Sequence, residues 1–260
     1  MPIPLFKSHF SIGRSILTLD KPNSNGDPDG PDSIFDIAVD YGLKEVVLVE
    51  DTFMGFLEAR KVASDIGVRF RFGLRFNIRQ SALNEEDTSN SKCTHKIIIF
   101  PKDSQGCKSL NKIYTECHTK YNGWLDLSIV RSLWDEEHLT LAIPFYDSFI
   151  FKNLTSFDAC VPDFSFTNPF FFIERNGLPF DSLVEDGVKK YCKSYAYPWE
   201  MSQSIFYKGK DNFPSYLTYK LICSRSLQGG RPSSLEKPNF DHLGSDEFCW
   251  ESYLEKYESA

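Results

Sequence analysis

Residues 32–78 read DSIFDIAVDYGLKEVVLVEDTFMGFLEARKVASDIGVRFRFGLRFNI. Apolar residues at helical spacing over residues 34–41 predict a first helix, and the Val-Val-Leu-Val run at 46–49 a buried strand. Residues 55–66 return to helical periodicity, and residues 68–72 predict a second strand. Strand, helix, strand is a right-handed crossover unit, whose functional side chains stand just past the carboxyl ends of the strands. Those ends are expected at Glu50-Asp51 and at Gly73-Leu74-Arg75.

The surrounding chain bounds the answer. Its 260 residues, 41% hydrophobic and 25% charged, suffice for a substantial core. A net charge of −7 argues against broad electrostatic coating of nucleic acid, and DNA contact through a local groove stays open. The amino end lacks a basic region followed by an apolar run, and no apolar stretch approaches about 18 residues, so neither a leader nor a membrane partner is expected. Seven cysteines, scattered and without a C-x-x-C pair, fit reduced thiols and a cytoplasmic setting rather than a disulfide frame or structural zinc.

The pieces AVDYGL (residues 38–43) and GFLEARKVASDIGV (residues 55–68) are specific enough to compare. They resemble the PHP (polymerase and histidinol phosphatase) domain that opens bacterial DNA polymerase III alpha subunits. The likeness continues in order: HKIIIFPKDSQGCKSLNKI (residues 95–113) as strand, turn at Gly106 and helix; a helix over 125–133; strands at 139–143, 170–174 and 199–206; helices over 181–195 and 214–221. Residues 238–250 resemble the segment leading from such a domain toward a polymerase palm. Residues 145–169 read as irregular, with phenylalanine clusters expected in the core. Loops are expected at residues 20–32, 85–91 and 224–237, which are rich in Gly, Pro, Ser, Asn or charge. The resemblance implies one α/β domain, a distorted (β/α)7 PHP-type barrel, standing without its polymerase.

Active members of that family gather His and carboxylate ligands around two or three metals, which generate hydroxide and neutralise phosphate. Most matching positions here have lost their ligands. Lys7 and Ser11 stand where histidines belong, Arg75 replaces a glutamate, and Ser204 and Phe206 replace an Asp and a His. His9, Glu50, Asp51 and His95 remain as residual candidates, with His9 and His95 expected to be packed, hydrogen-bonded residues. Lys7 and Arg75 would repel a divalent ion, since unit charges about 4 Å apart interact by about 4 kcal/mol at an effective dielectric of about 20. Salt bridges from Glu50 and Asp51 to Lys7 or Arg75 are the simplest replacement for metal bridges. A metal-free phosphate site at Lys7, Arg14 and Arg75 is a sharper alternative. His118, His138 and His242 have no partners at useful spacing, and no P-loop or nucleophile elbow is present.

No catalytic residue and no cofactor is therefore expected, the alternative being one divalent Zn or Mn ion. The resemblance implies a catalytically degenerate binding module associated with DNA replication. Its expected partner is a protein, a replisome component such as polymerase III core or its proofreading exonuclease. Two alternatives stay open: a weak metal-dependent phosphoesterase or 3'-5' exonuclease with a reduced site, and an assembly protein reusing the barrel. A free-standing copy of a replication domain points to a mobile element or virus as its setting.

Overall fold

The computed structural model describes residues 1–22, 30–79, 94–156, 159–228 and 244–257. The expected loop at 85–91, and the parts of the other two at 23–29 and 229–237, lie outside the described residues. Two compact units result: Met1–Phe72 with Arg175–Leu178 and Ser202–Ala260, and Gly73–Glu174 with Pro179–Met201.

The first unit holds β1 (Ile3–Phe6), α1 (Ile34–Asp40), β2 (Glu45–Glu50) and α2 (Phe56–Ile66), and later α7 (Phe213–Gln228) and α8 (Trp250–Tyr257). Two strands, β3 (Arg69–Arg79) and β8 (Trp199–Ile205), have residues in both units. The second unit holds β4 (Thr94–Pro101), α3 (Ser104–Lys120), β5 (Trp124–Leu125), α4 (Leu127–Ser132), β6 (Leu139–Ile143), α5 (Phe149–Thr155), β7 (Phe170–Ile173) and α6 (Asp181–Tyr195).

The strands pair in the order β2-β1-β8-β7-β6-β4-β3-β5, and β2 also pairs with β3, so the pairing order closes on itself. The fold is thus mixed α/β with barrel-like strand pairing. Strict alternation of parallel strands and helices does not hold throughout, because β4 is antiparallel to both β3 and β6.

Local chemistry accounts for the opening crossover. Ser33 caps α1 by accepting a hydrogen bond from the Phe35 amide, satisfying one of the orphan donors of a helix start. In β2, every residue after Glu45 is buried, as suits a strand covered on both faces. Ala59, Val62 and Ala63 form the buried stripe of α2. That helix ends at Gly67, φ 73°, with the Val68 amide returning to the Ala63 carbonyl in a Schellman closure.

Several elements depart from the sequence reading. The strand expected at 68–72 continues to Arg79, so Gly73-Leu74-Arg75 lies inside β3 rather than at its end. The pattern RFRFGLRFNIR alternates apolar and polar residues throughout, and Leu74, Phe76 and Ile78 are buried. Gly106 is not a turn residue: it lies in the first turn of α3, where a Cβ would meet the His138 carbonyl oxygen. The irregular stretch contains α5, capped by the Ser148 hydroxyl, and Phe145, Phe149, Phe151 and Phe164 are buried as expected. Helix α7 runs past residue 221 to Gln228, and α8 follows the connecting segment expected at 238–250, over residues for which the sequence reading assigned no element. Cys160 is disulfide-bonded, against the expectation of reduced thiols throughout, while Cys107, Cys117, Cys192, Cys223 and Cys249 form no disulfide. Among the described residues no helix is long and apolar enough to cross a membrane.

Candidate functional site

Parallel pairing brings two of the expected ligand positions together in the first unit. β1 lies beside β2 with Leu5 opposite Val47 and Phe6 opposite Leu48, so the residues following both strands leave at the same end. Lys7, Ser8 and Ser11 thereby meet Glu50 and Asp51. β8 flanks β1 with Ser204 opposite Leu5, which places Ser204 and Phe206 at that end too.

Glu50 is the centre of this cluster and has no solvent exposure. One carboxylate oxygen accepts the Ser8 backbone N–H at 2.7 Å, and the other accepts the Ser11 hydroxyl. The same hydroxyl accepts the Asp51 backbone N–H at 3.2 Å, tying the two strand ends to each other. Lys7, 4% exposed, places its Nζ 3.6 Å from Asp51. Burial pushes the Glu50 carboxyl above its ordinary value, while the Lys7 charge and the hydrogen bonds from Ser11 and Ser8 oppose that rise. The expected salt bridging of the acidic pair therefore takes the form Lys7–Asp51, with Lys7 also acting electrostatically on Glu50.

This donor set does not fit a multinuclear metal centre. Both Glu50 oxygens are engaged by protein donors, and a buried ammonium occupies the neighbourhood where a second cation would have to sit. Among the described residues no group of three His, Cys, Asp or Glu side chains is arranged to hold a metal ion.

The other candidates are dispersed. His9 is half-buried, with its ring against Phe10 (centroids 4.3 Å apart) and its Nδ1 without a hydrogen-bond partner. Arg14 stands in the turn after Ser11, donating its backbone N–H to the Ser11 carbonyl at 2.9 Å. Phe206 has become a packing residue, stacked on Phe248 at 5.5 Å and Tyr216 at 6.1 Å.

Arg75 and His95 belong to the second unit. Arg75 is opposite Ile98 in the β3–β4 ladder. Burial would raise the Asp147 carboxyl, but Lys96, 3.0 Å away, and Arg75 together hold it below its ordinary value. His95 is packed as expected, edge-on to Phe149, but the expected hydrogen bonding is missing: neither ring nitrogen has a partner. Burial depresses its pKa from 6.5 to about 4, so the imidazole is neutral at physiological pH.

One pairing was missed by the sequence reading. His138 Nδ1 lies 2.7 Å from the Asp103 carboxylate, 35 residues away in the chain. His118 packs against Tyr114 with tilted rings, centroids 4.3 Å apart, and His242 lies outside the described residues. No protein-family model matches this chain, and no curated protein matches it.

Proposed function

We propose that this chain is a non-catalytic binding module built on a PHP-type, distorted (β/α)7 framework, serving as an accessory to DNA replication. The observation that carries the reading is the Glu50 cluster. At the strand ends where the resemblance calls for metal ligands, a buried glutamate accepts hydrogen bonds from Ser8 and Ser11, and a buried lysine is ion-paired with Asp51 at 3.6 Å. A site whose carboxylates are engaged by a lysine and by hydroxyl and amide donors in this way is poorly suited to gather the several metal ions that hydrolysis of phosphate would use. Closed, barrel-like pairing around β1, β2 and β8 is consistent with that framework. A framework kept while its reactive centre is filled is most useful for its surface, here for a protein partner of the polymerase III core in a cytoplasmic setting.

The test has two arms. The intact chain is used to capture purified polymerase III core subunits, and saturable binding to one of them is the expected result. Hydrolysis of single-stranded DNA and phosphomonoesters is assayed with Mn²⁺ or Zn²⁺, and none above background is expected. Metal-dependent turnover abolished by His9→Ala/His95→Ala would replace this reading with the reduced-site phosphoesterase. Absence of binding to every core subunit would remove the replication assignment.

A further inference from the structure

The second unit contains a cavity of about 240 Å³ that plays no part in the Glu50 cluster. Its floor is formed where the end of β3 meets the start of β4, with Ile78 directly opposite His95. The amino end of α4 supplies Leu127, and residues 160–163 close the third side. That third side is pinned. The Asn153 carboxamide donates to the Cys160 carbonyl and accepts the Cys160 N–H, both at 2.8 Å, and Arg131 faces Asp163 at 3.6 Å.

Two features of the lining point to a ligand. His95 is 6% exposed and lines the cavity with both nitrogens unpartnered. Buried polar side chains are satisfied in the large majority of cases, because an unmet donor or acceptor carries its full desolvation cost. Val161, at the cavity's edge, is 86% exposed although apolar. The charges on the lining cancel: Arg79 and Arg131 against Asp126 and Asp163. Both carboxylates are also engaged locally, Asp126 by the Ser128 amide at 2.7 Å and Asp163 by the Ser165 amide at 2.9 Å.

We propose that this cavity binds an uncharged, largely apolar small molecule of about eight non-hydrogen atoms that presents one hydrogen-bonding group to His95. The size follows from the volume, at about 30 Å³ for each water-sized group. The neutral lining disfavours a net charge on the ligand, and the neutral imidazole offers one N–H donor and one acceptor. A phenol or a simple aromatic amide has the required shape and polarity. The inference concerns the second unit alone and does not depend on the accessory function proposed above.

The experiment follows the His95 imidazole signals of the full chain by NMR during titration with p-cresol, benzamide and benzoate. One neutral probe is expected to give a saturable one-to-one shift, with benzoate at least about ten-fold weaker. Affinity, followed in the variants by the methyl signals of the lining residues Ile78 and Leu127, is expected to fall about ten-fold or more in His95→Phe and in Val161→Asp. The second variant, at an exposed position, keeps the test decisive if the first does not fold. No saturable shift from either neutral probe would mean that water alone fills the cavity, and would overturn the proposal. Unchanged affinity in a folded His95→Phe or Val161→Asp protein, or benzoate binding as tightly as the neutral probes, would overturn it equally.

Discussion

Replacing His95 by Phe separates the burial of this imidazole from every other titrating group in the chain. Its pKa falls from 6.5 to about 4 on folding because burial disfavours the charged form. As pH drops from neutrality, the unfolded chain binds a proton at this residue before the folded chain does, so folding stability falls with pH between about 6.5 and 4. Above 6.5 both states are neutral and the full stability is present. At about 1.36 kcal/mol per pKa unit, the whole displacement corresponds to about 3 kcal/mol, of which about 2 kcal/mol is lost by about pH 5. Phe does not titrate and suits the edge-on contact with Phe149. Urea unfolding of both proteins at pH 7 and pH 5 gives a double difference in which the remaining groups cancel. Wild type is expected to lose about 2 kcal/mol more than the variant over that interval. A double difference below about 0.5 kcal/mol, or an NMR midpoint for His95 near its ordinary value, would refute the reasoning.

Three further outcomes follow from the geometry. Glu50→Ala removes the acceptor for the Ser8 amide and Ser11 hydroxyl and strips a counter-charge from buried Lys7; a loss of about 3–5 kcal/mol in urea unfolding is expected. Lys7→Met/Glu50→Gln is expected to recover part of that loss, and a Glu50→Ala cost under about 1 kcal/mol would show that the cluster is not structural. Gly106→Ala drives a methyl group into the His138 carbonyl, and thermal unfolding is expected to register about 1–3 kcal/mol or more of destabilisation. The Asp103 hydrogen bond raises the His138 pKa, so this pair favours the folded state below pH 6.5 and the effect fades as pH rises through the folded value. Asp103→Asn keeps the α3 cap and is expected to lower the His138 NMR midpoint, whereas an unmoved midpoint would rule the pairing out in solution.

Most helices and strands were legible because their signals are local. The stripe Ala59, Val62, Ala63 on α2, and the run Leu110, Ile113, Cys117 on α3, can be read from spacing alone. The alternation from Arg69 to Arg79 is present in the sequence, yet the expected strand stopped at residue 72; Gly73 reads as a strand end until Phe100 and Ile98 are seen packing where its Cβ would stand. Helix α5 was obscured because its short apolar run, Phe149 to Phe151, has no clear period.

The sequence by itself determined which residues exist at the expected ligand positions: the acidic pair Glu50-Asp51, the lysine at 7, the arginine at 75. It also determined that Glu50 would stand at the end of an apolar strand. Only the tertiary structure decided what those residues do. Hydrogen bonding between β1 and β2 sets Ser8 and Ser11 against Glu50, and such a register between strands some 40 residues apart is written in no local pattern. It likewise decided that His95 is buried without hydrogen bonds beside a cavity, and that His138 meets Asp103. The pKa of a side chain follows from the atoms that exclude water around it, and those atoms come from distant parts of the chain.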